Sequence, residues 1–330
     1  MMGGHMKNRL FACLAVVMVC CVVAVLVPEV QAAYPDKPFE FVTHSTPGGG
    51  SDMFIRAMAL FLEKEGIVKQ KMRVVNRTGG SGTTCMDYLA SKRGDPYVVS
   101  AISGAPLNTV VRKISILKYE ELTFLAMTIM DANVVYAKYD APYNDMKELV
   151  AHFKKSGKEV NVGIGSLGGM DHLGSYRTAK ATGLKFNIVS FKSSGGSATA
   201  LLGGHVDIRV GDHTEMLDPK AKQAKILAIM SEKRNPFFPD VPTLKEQGID
   251  VTGYLIRGFL APPDFPPYAV KYWEDALGKL VKTKAFKDYN DSSFGMINFM
   301  TGRELRTWMD TFVAAMERDL KHLGLFEEKK

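Results

Sequence analysis

The chain has 330 residues, 42 Lys and Arg against 35 Asp and Glu, a net charge of +7 and four cysteines. Its cations are scattered and do not alternate with aromatics, which excludes nucleic acid as a partner, whereas a mildly positive field favours small anions. Cys13, Cys20 and Cys21 all precede Ala33, so Cys85 is the one thiol beyond them, too few for a disulfide or a Cys-based metal site.

In chain order, Lys7 and Arg9 come first, then an uncharged apolar run from Leu10 to Val27, then Val30-Gln31-Ala32 with small residues suited to cleavage after Ala32. This is the order of a secretory leader, and it predicts export to the periplasm. The alternative is a retained anchor, because the run is just long enough to span a bilayer. Val17-Met18-Val19 before Cys20 lacks the small residues of a lipid-attachment site.

Beyond the leader, strand patterns fall at 39–43, 72–76, 97–102, 160–164, 186–191, 206–210 and 225–230. Helical periodicity lies between them: from Asp52 to about Lys64, through Met146, Leu149, Val150 and Phe153 to a stop at Gly157, and from near Asp171 to Gly183. The alternation predicts an α/β architecture with largely parallel sheets. Two long helices end the chain. The first places Val270, Trp273, Leu277, Leu280 and Val281 on one face; the second opens with Thr301-Gly302-Arg303-Glu304, a capping box, and repeats Leu305, Trp308, Phe312, Met316 and Leu320 as core. Two extended stretches, 122–139 and 253–261, are too long for ordinary strands and read as crossings between two lobes.

Four glycine-rich turns follow strand patterns, at 46–52, 76–82, 163–171 and 192–198. At the carboxyl ends of parallel strands such turns line the crevice where ligands bind. The open N–H groups of the next helix favour an anion there. Gly163-Ile164-Gly165-Ser166-Leu167-Gly168 has the spacing of a dinucleotide turn, but no acidic residue for the ribose occurs over 183–187. Ser166 is no nucleophile elbow either, because Ile164 stands at its first glycine position. His44, His172 and His213 lack metal-ligand spacing. No cofactor and no metal are expected.

The segment 34–52, Tyr-Pro-Asp-Lys-Pro through Pro-Gly-Gly-Gly-Ser-Asp, resembles the opening of the solute receptors of tripartite tricarboxylate transporters, the Bug receptors. The resemblance continues at Val75–Gly80, Gly163–His172, Phe191-Lys192, Leu202–Asp207, Phe238–Leu244 and Gly258–Pro262, spanning nearly the whole chain after the leader. It implies a two-lobed periplasmic binding protein fold of type II, each lobe a central sheet flanked by helices, with the ligand cleft between them. The implied division is a leader at 1–32, a first lobe of 33–132 plus 256–330, and a second lobe of 133–255. It implies a monomer that captures a small carboxylate without chemistry and delivers it to the large and small membrane subunits of a permease. This chain departs from the family at His44, Ser45 and Thr46, where Pro-Phe-Ala is common, at Thr78 for Pro, and at Ile256-Arg257 for a Trp.

Carried onto this chain, the first ligand loop supplies Thr46, Gly48, Gly49, Gly50, Ser51 and Asp52. The second supplies Gly165, Ser166, Gly168 and His172, with Ser103 and Phe191-Lys192 flanking. Asp52 receives a ligand amine or sits in the first helical turn, where a carboxylate suits the dipole. His172 contacts ligand or braces its loop. Lys192 is the best single cation for a carboxylate, Asp212 bridges the lobes or binds, and Arg257 suits a second carboxylate. Two other readings remain: a periplasmic sensing module for a signalling partner, and an exported hydrolase using Ser166 or Ser51 with His172 and an Asp.

Overall fold

Strands β1 (Phe39–Thr43), β2 (Met72–Asn76) and β3 (Val98–Ile102) pair in parallel, with β1 in the middle. A computed structural model describes residues 34–191, 194–212 and 223–326. The helices that follow these strands are α1 (Gly50–Lys64), α2 (Thr83–Ser91) and α3 (Gly104–Val111). Alternation along β1 sends Phe39 and Phe41 to one face and Val42 to the other, so both faces are apolar and both are covered.

The sixteen residues of β4 (Thr123–Lys138) then run through two pairing environments. The elements that follow are α4 (Met146–Ser156), β5 (Val160–Ile164), α5 (Met170–Thr182), β6 (Phe186–Ser190), α6 (Ser194–Leu202), β7 (Ile208–Asp212) and β8 (Ala224–Ile229). After these come β9 (Tyr254–Ala261), α7 (Pro267–Leu280), α8 (Lys284–Ser292), β10 (Ile297–Met300) and α9 (Gly302–His322). Up to Ala132, β4 is antiparallel to β9 and β10; from Asn133 it is antiparallel to β7 and β8. β7, β5 and β6 continue the second sheet in parallel. The parallel pairs carry the glycine turns, and the antiparallel pairs surround β4. The sheets are therefore mixed, with parallel pairing confined to their outer strands.

The stretch 253–261 does not cross as 122–139 does, because β9 lies wholly along β3 and the first part of β4. The chain returns instead at Met230 and Gly253. There Asn133 N–H donates to Gly253 O at 2.8 Å, Gly253 N–H to Met230 O at 2.9 Å, and Met230 N–H to Asn133 O at 2.8 Å. A Cβ on Gly253 would lie 3.1 Å from Met230 Sδ.

Local signals explain most boundaries. Asp145 caps α4 by accepting from Glu148 N–H at 2.8 Å, and left-handed glycines stop α4 at Gly157 and α5 at Gly183. The capping box at Thr301 is not formed: α9 starts there, but the Thr301 side chain makes no cap hydrogen bond. Gly302 takes a φ of +53°, a left-handed first residue that departs from ordinary box geometry. Trp308 is half-buried rather than core, stacked on Phe312 beside a groove of about 690 Å³ on the α9 face.

Trp273 is the largest fully buried side chain, its ring 4.7 Å from Phe39 and 5.4 Å from Phe41. Trp273→Ala should cost about 3–5 kcal/mol by emptying that space. Urea unfolding followed by circular dichroism should show a lower midpoint at unchanged slope; an unmoved midpoint would contradict this packing.

Candidate functional site

Two turns of the same form sit at strand ends. In the first, Gly49 N–H donates to Thr46 O at 3.0 Å, and Gly48 takes a φ of +81°. In the second, Gly169 N–H donates to Ser166 O at 3.2 Å, and Gly168 takes a φ of +75°. Only glycine takes the left-handed position without strain. Each following helix begins on an extended glycine cap, Gly49 for α1 and Gly169 for α5. A Cβ on Gly49 would displace the Ser45 hydroxyl and stand 3.2 Å from Thr46 O, so space is tight there although its φ of −77° suits any residue.

Both turns are braced from the first turn of their own helix. Asp52 is buried and accepts from Gly48 N–H at 2.8 Å, Asn76 Nδ2 at 2.7 Å and Arg56 Nε at 3.0 Å. Burial alone would raise its carboxyl pKa, but the bonds from Arg56, Gly48 and Asn76 outweigh it and hold the pKa at about 2. These partners occupy both oxygens. The geometry gives Asp52 the helix-and-turn role over that of a receptor for a ligand amine. His172 does the same in the second turn: its Nδ1 accepts from Gly168 N–H at 3.0 Å, and burial pushes its pKa down. With Nδ1 accepting, the neutral ring carries its proton on Nε2.

The turns differ in where their carboxylate sits, at Asp52 in one and Asp171 in the other. In the first, the earliest bond within α1 is Met53 N–H to Gly49 O, so the N–H groups of Gly50, Ser51 and Asp52 have no carbonyl a turn earlier to accept them. Arg257 lies over this end, with Nη1 3.6 Å from where a Gly50 Cβ would stand. In the second, the earliest bond within α5 is Leu173 N–H to Gly169 O, and Asp171 reaches back to the loop. Its Oδ2 accepts from Gly165 N–H at 2.5 Å and Ser166 N–H at 3.3 Å, and its Oδ1 from His172 N–H at 3.0 Å. Burial raises the Asp171 pKa, opposed by those N–H groups and by the nearby Arg209. Arg209 is buried and donates to Ser197 Oγ at 2.6 Å.

Around the turns, Arg257 Nη2 approaches Asp212 Oδ2 at 3.5 Å, joining β9 to β7. Ser103 caps α3 without a side-chain cap bond, and its Oγ is buried with no hydrogen-bond partner among the described residues. His44, at the end of the adjacent strand, has a buried Nδ1 equally without partner, and burial lowers its pKa to about 4. A Cβ on Gly104, next to Ser103, would stand 2.8 Å from Met170 Cγ, so α3 and the second turn touch. Asn108 Nδ2 also donates to Gly168 O. The Phe191 ring lies 3.7 Å from the place of a Gly163 Cβ, and its N–H donates to Ile164 O at 2.9 Å. Lys192 and His213 lie outside the described residues, as does the leader.

Sequence reasoning missed three contributors. Asp171 was visible only as an acid beside His172. Arg209 was hidden inside an apolar strand. The orphaned Nδ1 of His44 is a property of packing that composition does not carry.

Two sheets sharing one long strand, with glycine turns at the ends of their parallel strands, are the frame of a two-lobed solute-binding protein. The chain belongs to the tripartite tricarboxylate transporter receptor family, whose model matches residues 55–306. It is 29% identical over 241 residues to BugT of Bordetella pertussis, covering 71% of this chain and 73% of that one. A TctC solute-binding protein from Polaromonas, solved without ligand, has a TM-score of 0.76 at 28% identity over 88% of this chain and 99% of its own. An R. palustris structure with adipate has a TM-score of 0.74 at 19% identity over 88% and 98%. Among the described residues no helix is long and apolar enough to cross a membrane.

The Asp52 brace gives a pH test. Its folded pKa lies below the ordinary 3.8, so its contribution is present above that value and is lost as pH falls towards about 2. Asp52→Asn should cost about 1.5–3 kcal/mol at neutral pH, the worth of hydrogen bonds to a charged group. Unfolding free energies of the two proteins should converge between pH 4 and pH 2. A difference that stays constant over that window would contradict the brace.

Proposed function

We infer that this receptor captures a small organic acid in the periplasm and delivers it to the large and small membrane subunits of a cognate permease, acting as a monomer and performing no chemistry. Lobe boundaries are taken at 132/133 and 255/256, and the ligand closes the cleft between them. One observation carries the reading: the Arg257 guanidinium lies over Gly50, at an end of α1 where the N–H groups of Gly50, Ser51 and Asp52 have no earlier carbonyl to accept them. Helix-end N–H groups and a fixed cation are what a carboxylate requires. Ser103 and His44 add polar atoms that have no hydrogen-bond partner among the described residues. Family membership supports the transport role, and the adipate of the R. palustris relative illustrates the ligand class.

A ligand that binds only the folded state adds about 2.7 kcal/mol at 100 times its dissociation constant. At roughly 2–4 °C per kcal/mol, a screen of mono-, di- and tricarboxylates should contain at least one shift of about 5–10 °C. Gly49→Val should abolish that shift, and Arg257→Gln should weaken binding at least tenfold while leaving the melting temperature of the free protein in place. Absence of any shift, or full binding by both variants, would refute the anion seat.

Export has its own readout. N-terminal sequencing of periplasmic protein should begin Ala33-Tyr34-Pro35; a full-length form held in the membrane fraction would contradict cleavage after Ala32.

A further inference from the structure

The glycine-rich turn at 76–82 has a part unlike that of the two turns built into the site. Gly79, Gly80, Ser81 and Gly82 all take positive φ, and Gly82, at +110°, lies against the start of α3. A Cβ on Gly82 would stand 2.7 Å from Pro106 Cα, so backbone meets backbone there and the turn seats the helix. Gly104 and Asn108, four residues apart, share the face of α3 opposite Pro106. That face meets the second ligand turn. Gly104 lies against Met170, and the Asn108 side chain, only 6% exposed, donates from Nδ2 to Gly168 O. A carbonyl oxygen only accepts, so the amide must present its NH2 end. Leu320 of α9 closes on the same glycine, 3.5 Å from where its Cβ would be. Gly168 is therefore held at both polar atoms: its N–H by His172 of its own helix at 3.0 Å, its C=O by Asn108 of a helix that follows β3. That C=O shares a planar peptide with the Gly169 N–H, which closes the turn onto Ser166 O at 3.2 Å, so fixing one end fixes the other. β3 in turn pairs with β1, which leads into the first turn.

We propose that Asn108 is a positioning residue of the ligand site: it fixes the Gly168–Gly169 peptide from the sheet of β1 to β3, and so holds the second turn in register with the first before a ligand arrives. This rests on the receptor reading above and deepens it. Asn108 acts through the turn. A turn already in place spares the ligand the cost of ordering it. The residue type fits such a role, because Asn is a poor helix former and its amide, once buried inside α3, needs a partner.

The test uses two variants of the purified protein. Asn108→Leu keeps the side-chain volume and removes the donor; Asn108→Asp keeps the shape and sets a carboxylate against the Gly168 carbonyl. Circular dichroism should show both folded. Amide hydrogen exchange of the unliganded proteins, read by mass spectrometry, should be about tenfold faster over residues 165–171 and unchanged over β1, β2 and β6, because the opening released is local. In titration calorimetry succinate, adipate and any other acid of the panel that binds the wild type should bind both variants about tenfold more weakly, the worth of one hydrogen bond. His172→Phe frees the N–H of the same glycine. Combined with Asn108→Leu it should add less than its separate loss, since both act on one residue. Loss of the fold in both variants, faster exchange throughout the chain, unchanged exchange over 165–171, or binding losses that simply multiply would overturn the proposal while leaving an acid receptor standing. If no acid of the panel binds the wild type, the receptor reading itself falls, and the exchange comparison still decides whether Asn108 positions the turn.

Discussion

The structure depends on the change of partners along β4. Between Ala132 and Asn133 the ladder passes from β9 and β10 to β7 and β8, and the return of the chain is tied to the same point by the bonds among Asn133, Met230 and Gly253. Asn133 is fully buried, and its side-chain Nδ2 donates to Met170 O at 2.9 Å, at the first residue of α5. Gly174 lets α5 approach this crossing, since a Cβ there would stand 3.1 Å from Met230 Sδ and 3.2 Å from Asn133 Nδ2. The crossing, the start of α5 and the second glycine turn are therefore one connected unit. The link from the crossing to the turn runs through the Asn133 side-chain amide, which donates to Met170 O.

Connectivity of this kind also explains why the site is built from backbone. Turns at the ends of parallel strands are positioned by the sheets, and their N–H groups point where the strand geometry sends them. What varies between the two turns is a few side chains near the cap. Asp52 and His172 each pin one glycine N–H, by an ion-paired carboxylate in one case and a neutral ring in the other. Each helix end also carries one carboxylate in its first turn, Asp52 at the cap-bracing position of α1 and Asp171 one position earlier in α5, where it reaches back to the loop N–H groups.

Much of the fold was legible because its signals are local. The runs at 39–43, 72–76 and 160–164 match β1, β2 and β5 residue for residue, since alternation and flanking glycines mark both ends. The run at 206–210 became β7 at Ile208–Asp212, because His205 N–H still donates to Ala200 O and holds the preceding residues in the end of α6. The stretch 253–261 misled for another reason. An apolar strand buried between two neighbours and a crossing segment look identical in composition, and only pairing separates them. At the site, the glycine turns were readable from residue type. The partners of Asp52, the space above Gly50 and the surroundings of Asp171 depend on chain segments far apart in sequence, which no spacing rule encodes.

The contacts between the sheets also differ in what it costs to separate them. On one side Met170 and Leu173 of α5 share an apolar cluster with Leu107, Met316 and Leu320, and Arg177 donates to Asp319 Oδ2 at 2.5 Å and to Thr252 O at 3.1 Å. The Asp319 side chain is only 6% exposed, so removing its partner would leave a buried charge, a penalty of about 3–5 kcal/mol. On the crevice side Arg257 and Asp212 sit 3.5 Å apart with side chains 24% and 19% exposed. Water reaches that pair, and its loss costs far less than the loss of the Arg177–Asp319 pair. Of the two ion pairs between the sheets, the less buried one thus belongs to Arg257, the side chain lying over the N-terminal end of α1.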